Sequence, residues 1–194
     1  MNDIEMLILD RAKARFDRFG YKKTTMDEIS SDCKISKKTL YAYFRDKENL
    51  FDCLILRESN KAQIFIFAHI QEIEDPVDRL TNLIRISLEY FTQDNFLTRL
   101  LKDEDALYSA FLQKKYRHEV EETLITSIAE IIEQGQQSGK IRDVDARISA
   151  YAGLKLFQSF SYMRTIDFDQ EKYEQGYYTS TLTDFIMQGL VAKA

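Results

Sequence analysis

The sequence predicts an all-α fold of about nine helices, because helix-breaking residues are scarce and apolar residues recur with a 3.6-residue period. Its 194 residues include only six Gly and one Pro. A third observation divides the chain. Two helices of about two turns each, three to four residues apart, lie between longer ones, which is the sequence form of a helix-turn-helix.

The first helix is expected from about Asp3 to Phe19, with Ile4, Leu7, Ile8, Ala12, Phe16 and Phe19 along one side. Gly20 then stands where a left-handed residue closes a helix. The second starts at Thr25, whose hydroxyl can cap it while Glu28 completes a capping box, and ends near Asp32. The third opens at the N-cap Ser36 and runs to about Tyr43. Asp46 can cap a long fourth helix that starts "DKENLF" and extends to about Ile73.

Asp75-Pro76, a cap followed by a proline in the first turn, opens a fifth helix that ends near Phe91. A shorter one follows from Asn95 to Lys102. "EDALYSAFLQKKYRHEVEETLITSIAEIIEQGQQ" reads as one long helix closed by the turn at Gly139. The next opens at Asp143 or Asp145 and continues to about Met163, and the last spans about Asp169 to Leu190. No repeat, low-complexity tract or flexible linker interrupts this series, so the fourth helix is expected to join the two parts.

Composition narrows the setting. Hydrophobic residues are 44% and charged residues 30%, an ordinary water-soluble balance. No apolar run approaches the ~20 residues that cross a bilayer, and "MNDIEMLILD" lacks the basic start of a signal peptide. A cytoplasmic protein without a membrane partner is expected. Cys33 and Cys53 have no metal or disulfide spacing and read as small buried residues, with a redox switch as the lesser alternative.

Charge is placed unevenly. From Arg11 to Lys47 there are 11 Lys/Arg against 5 Asp/Glu, while residues 51–194 hold 16 against 23. A basic segment on an acidic body suits a polyanion-binding module, although charge alone fits a solvated surface equally well. The helix-turn-helix decides for DNA, since its second helix enters the major groove with its first residues at the base edges. Here those residues are Ser36, Lys37, Lys38 and Thr39, whose ammonium and hydroxyl groups suit guanine acceptors, phosphates and thymine methyls. Thr24, Thr25 and Lys47 stand near helix N-termini, where free N–H groups favour phosphate. Tyr41 and Tyr43 each offer a hydroxyl on a rigid ring, while Leu40 and Phe44 should face inward with Phe16, Ile29 and Phe51.

Gly20-Tyr21, Thr24-Thr25-Met26, Ile29, Ile35-Ser36, Thr39-Leu40-Tyr41, Tyr43-Phe44 and Lys47-Glu48-Asn49-Leu50 together resemble the DNA-binding domain of tetracycline-repressor (TetR) family transcriptional regulators. The resemblance covers about residues 5–52. It implies a homodimer that binds double-stranded DNA, with a DNA-binding domain over 1–48 and a helical effector-binding and dimerisation domain over 49–194. It implies phosphate contact or capping for Thr24 and Thr25, base reading by Lys37, Lys38 and Thr39, backbone contact by Tyr41 and Tyr43, and phosphate contact by Lys47. Two residues depart from the family pattern: Lys34 and Lys38 stand where glycine is usual. Lys34 is therefore expected in a left-handed conformation at a cost of roughly 1 kcal/mol.

Residues 51–194 are rich in aromatics. Phe65, Phe91, Phe96, Tyr108, Phe111, Tyr116, Phe157 and Phe160 are candidates for a pocket that takes a small apolar or amphipathic effector, with Tyr hydroxyls and Arg85, Arg99 or His118 orienting it. The plainer alternative makes these rings core or dimer interface. Small residues in "ARISAYAGLKLFQSFSYM" and "YTSTLTDFIMQGLV" permit close approach, and the resemblance makes the last two helices the dimer interface. Enzymatic constellations are missing: His69 and His118 lie far apart without metal-ligand spacing, and neither a phosphate loop nor a GxSxG elbow occurs. No catalytic residue, metal or cofactor is expected. A helical adaptor that does not bind DNA is the competing reading, and it would not need the polar edge from Ser36 to Lys47.

Overall fold

The computed structural model describes residues 3–102, 116–161 and 176–192. Among them are nine helices: α1 (Asp3–Lys23), α2 (Met26–Asp32), α3 (Lys37–Tyr43), α4 (Lys47–Ala68), α5 (Pro76–Thr92), α6 (Phe96–Lys102), α7 (Tyr116–Gln137), α8 (Ala146–Ser161) and α9 (Tyr177–Leu190). The described residues hold no β-strand beyond one isolated antiparallel bridge, Ile141 to Val191. None of their helices is long and apolar enough to cross a membrane.

The chain divides into two compact units, Met1–Lys61 and Ala62–Ala194, with α4 contributing to both. In the first unit α1 packs on α2 and α2 on α3. Ile8, Leu9, Ala12 and Phe16 of α1, Ile29 of α2, and Leu40 and Phe44 around α3 are buried, as are Leu50, Phe51 and Leu54 of α4. Gly20 (φ 77°) breaks α1 near the expected end, leaving one further turn to Lys23. Charge is buried as well. Arg57 donates to Asp10 at 2.8 Å, and Glu58 accepts from Lys13 at 2.8 Å and from Lys61 at 3.0 Å. Burial pushes the Glu58 carboxyl up, and the two lysines outweigh it, so its pKa is lowered.

In the second unit α5, α7, α8 and α9 surround one core that includes Leu80, Leu83, Ile132, Ala150, Leu154 and Leu182. Glu121 of α7 accepts from Lys155 at 2.7 Å and from Gln158 at 2.9 Å, so a polar tie joins α7 to α8 inside an apolar contact. α4 ends at Ala68, five residues before the expected Ile73. Amide bonds from His69 to Ile66 and from Ile70 to Phe67 tighten the chain there, and Arg79 Nε donates to the Ile73 carbonyl at 2.7 Å. Asp75 caps α5 through Val77 N and Asp78 N, and Pro76 fills its first position, as the sequence predicts.

α7 closes with amides of Gly139 on Gln136 O and of Lys140 on Gly135 O, with Gly139 at φ 70°. The chain then turns onto the end of α9. Arg142 N donates to Leu190 O at 3.0 Å, Ala192 N donates to Lys140 O at 3.0 Å, and Arg142 Nε reaches the Gly189 carbonyl.

Candidate functional site

The polar edge of the first unit is built by local capping. Thr25 Oγ1 accepts from Glu28 N while the Glu28 carboxylate accepts from Thr25 N, so the capping box at α2 is complete. Hydrogen bonds from Thr25 hold the Glu28 carboxyl below its ordinary pKa, with Arg15 adding to the effect. Of the alternatives for the two threonines, Thr25 caps. Thr24 is 1% exposed, and its hydroxyl donates to Gly20 O at 2.9 Å.

The turn between α2 and α3 confirms the expectation at Lys34, whose φ is 55°. Lys34 N donates to Ser31 O and Ile35 N to Ser30 O, the bond pair of a Schellman turn. Ser36 then caps α3 by accepting from Thr39 N at 3.0 Å, and the Ser36 and Thr39 hydroxyls meet at 2.8 Å. Because Leu40 and Phe44 point into the core, Lys37, Lys38 and Tyr41 are left on the exposed side of the same short helix, and Tyr43 is half-buried. The edge is thus fixed by caps and by core packing together.

The cations on this edge differ in what holds them. Lys37 Nζ lies 2.6 Å from Asp27 Oδ2. Lys47 is folded inward: its ammonium donates to Tyr21 O at 3.0 Å and Thr24 O at 2.9 Å, and sits 4.2 Å from the Tyr21 ring centroid. Burial lowers its pKa. Tyr21 in turn packs on Phe16 and Phe51. The side chains of Lys34, Lys38 and Tyr41 have no hydrogen-bond or ionic partner among the described residues.

The aromatic residues of the second unit separate into groups. Phe91 and Phe160 line a cleft between α5, α8 and α9, together with Leu88, Leu182, Thr92, Ser161, Tyr178 and Thr179. Ser161 is buried, and its Oγ has no hydrogen-bond partner among the described residues. Phe157 is buried with its ring 5.8 Å from Phe91. Phe65 lies on His69 and Tyr90 instead, and Phe96 is buried in α6. Tyr108, Phe111 and the Tyr116 side chain lie outside the described residues. Arg85 pairs with Glu89, and Arg99 with Asp94. Sequence reasoning missed Thr92, Ser161 and Thr179 at the cleft, because a Ser or Thr within an apolar helix does not reveal which neighbour it will meet. Among the described residues no group of His, Cys, Asp and Glu could hold a metal ion.

The fold and this edge define a helix-turn-helix regulator with a separate helical body. Residues 8–54 match the family model for bacterial regulatory proteins of the tetR family, and residues 76–174, just over half the chain, match the model for the tetracyclin repressor-like C-terminal domain. The chain belongs to the TetR family and is a DNA-binding transcriptional regulator. It is 29% identical to the HTH-type transcriptional regulator YhgD of Bacillus subtilis over 80% of this chain and 81% of that protein. Its fold matches a tetR-family transcription regulator from Shewanella sp. PV-4 with a TM-score of 0.73 at 19% identity, over 99% of this chain and 100% of the other. It also matches AibR in complex with isovaleryl coenzyme A and operator DNA, with a TM-score of 0.63 at 22% identity, over 94% and 97% of the two chains.

Proposed function

We propose that the protein is a cytoplasmic, non-enzymatic repressor that binds a near-palindromic operator as a homodimer and is released by a small apolar or amphipathic effector. Residues 1–48 serve as the DNA-binding domain and residues 49–194 as the effector-binding and dimerisation domain. The observation that carries the reading is the Ser36-capped α3, which buries Leu40 and presents Lys37, Lys38 and Tyr41 on its outer side. In this reading Lys37, Lys38 and Thr39 meet base edges, with Ser36 fixing the start of their helix. Thr25, Tyr41, Tyr43 and Lys47 lie along the DNA backbone, whereas Thr24, buried with its hydroxyl on Gly20 O, is structural and not a phosphate contact. For Lys47 that requires its ammonium to exchange the Tyr21 and Thr24 carbonyls for phosphate.

The dimer forms through α8 and α9. Both helices expose large apolar side chains, Ile148 and Tyr151 on α8 and Tyr177 and Phe185 on α9, which a monomer would leave in water. The effector enters the helical body. Phe91 and Phe160 supply apolar walls with Phe157 against Phe91, and Phe65, Phe96, Tyr108, Phe111 and Tyr116 are the further aromatic candidates of this reading. AibR, a protein of similar fold solved in complex with isovaleryl coenzyme A and operator DNA, supports a small-molecule ligand in this reading. Effector binding shifts the population toward a half-site spacing that does not fit successive major grooves.

The test is selection of bound duplexes from a random pool, followed by sedimentation at micromolar concentration. Enrichment of an inverted repeat and a dimeric species are expected. Phe185→Glu should give a monomer that loses at least tenfold in affinity for the enriched duplex. A wild-type monomer that binds a single half-site equally well would sink the dimeric reading.

A further inference from the structure

Lys37 and Lys38 are adjacent on α3 and differ in one respect: Lys37 is paired with Asp27, and Lys38 has no partner among the described residues. Both side chains of the pair are open to solvent, 62% and 59% exposed, so the contact adds little to stability, while the carboxylate stays beside the ammonium. Its placement follows from the helices. Asp27 stands in the first turn of α2, where a carboxylate is favoured by the helix dipole. Lys37 is the first residue of α3, where that dipole disfavours a cation, and Asp27 supplies the opposing charge.

The pair changes what Lys37 can bind. An ammonium has three protons to donate, so with one on Asp27 it can still donate to the neutral O6 or N7 of guanine. A phosphate in the same place meets a charge already neutralised and a carboxylate that repels it. We propose that Asp27 is a specificity-determining residue, which directs Lys37 to base-edge acceptors and turns it away from phosphate. Asp27 then weakens binding to arbitrary DNA more than binding to the operator. This rests on the reading that α3 faces DNA.

The test uses the full chain and two duplexes, one of arbitrary sequence and one enriched from a random pool by the wild-type protein. Anisotropy titrations over roughly 50 to 200 mM salt give affinity and salt slope. Asp27→Asn should tighten binding to the arbitrary duplex roughly three- to tenfold and steepen its slope by about one. Affinity for the enriched duplex should change by less than about twofold, and in the Lys37→Ala background the gain on arbitrary DNA should vanish. Equal tightening on both duplexes, an undiminished gain without Lys37, or no change at all would each overturn the proposal. Wild-type protein that binds neither duplex would instead remove the DNA-facing reading on which it stands.

Discussion

Two helices of this protein, α2 in the first unit and α7 in the second, end in the same backbone turn built from different residues. At both, the amide of the left-handed residue and the one after it reach back to two carbonyls of the last turn. At α7 the left-handed residue is Gly139, and at α2 it is Lys34. An ion pair also anchors each turn, Lys140 with Asp75 in one and Asp32 with Arg15 in the other. The difference teaches that hydrogen bonding and packing fix the turn, while the residue sets only its cost. Lys34 accepts a strain that glycine would avoid, and adds an unpartnered cation to the basic segment.

That comparison can be broken most severely behind the α7 turn. A Cβ at Gly135 would stand 2.4 Å from Ile141 Cδ1 and 2.6 Å from Cγ1. Ile141 is buried and cannot move aside freely. Overpacking costs about 1–3 kcal/mol against the ~1 kcal/mol that alanine gains in a helix, so Gly135→Ala should lose up to about 2 kcal/mol in a urea titration. Gly139→Ala should lose about 1 kcal/mol from backbone strain alone, because its Cβ would meet nothing within 4 Å. Lys34→Gly should move the other way and raise stability by about 0.5–1 kcal/mol, less than the full strain because glycine also loosens the unfolded chain. A Lys34→Gly protein no more stable than wild type would mean that the turn is not strained.

The smallest effect concerns the two anchors. The Arg15 guanidinium holds the Asp32 carboxyl below its ordinary 3.8, and Lys140, with the Asp78 amide, does the same for Asp75. A depressed folded pKa stabilises above the unfolded value and is lost as pH falls through the folded one. Urea midpoints should therefore drop as pH falls below about 3.8, and Asp75→Asn should flatten part of that slope. Both carboxylates are solvent-accessible, which keeps the change modest.

The legible features were local. The Thr25–Glu28 box, the Ser36 cap and the Asp75-Pro76 start each depend on residues within a few positions, and the sequence displays them directly, while the left-handed Lys34 followed from the family resemblance. What escaped depends on distant partners. Asp27 meets Lys37 ten residues away, Glu58 meets Lys13, and Ile141 folds back on Gly135 across a turn. Lys47 was placed correctly at the start of a helix, but its inward fold onto two carbonyls needs the Gly20 break and the Tyr21 ring in position first. The contact of Arg79 with the Ile73 carbonyl, beyond the end of α4, likewise joins residues six apart.

The strained turn also carries its own chemical clock. Cys33 is the C-cap of α2, next to Lys34, and burial pushes its thiol pKa up. Only the exposed thiolate reacts quickly with a maleimide, so modification of Cys33 requires the turn to open. Its labelling rate, followed by mass against that of the half-buried Cys53, converts an opening equilibrium into a mass change at one residue. The sequence thus contains a reporter beside the recognition helix, and no engineered probe is needed to watch that helix loosen.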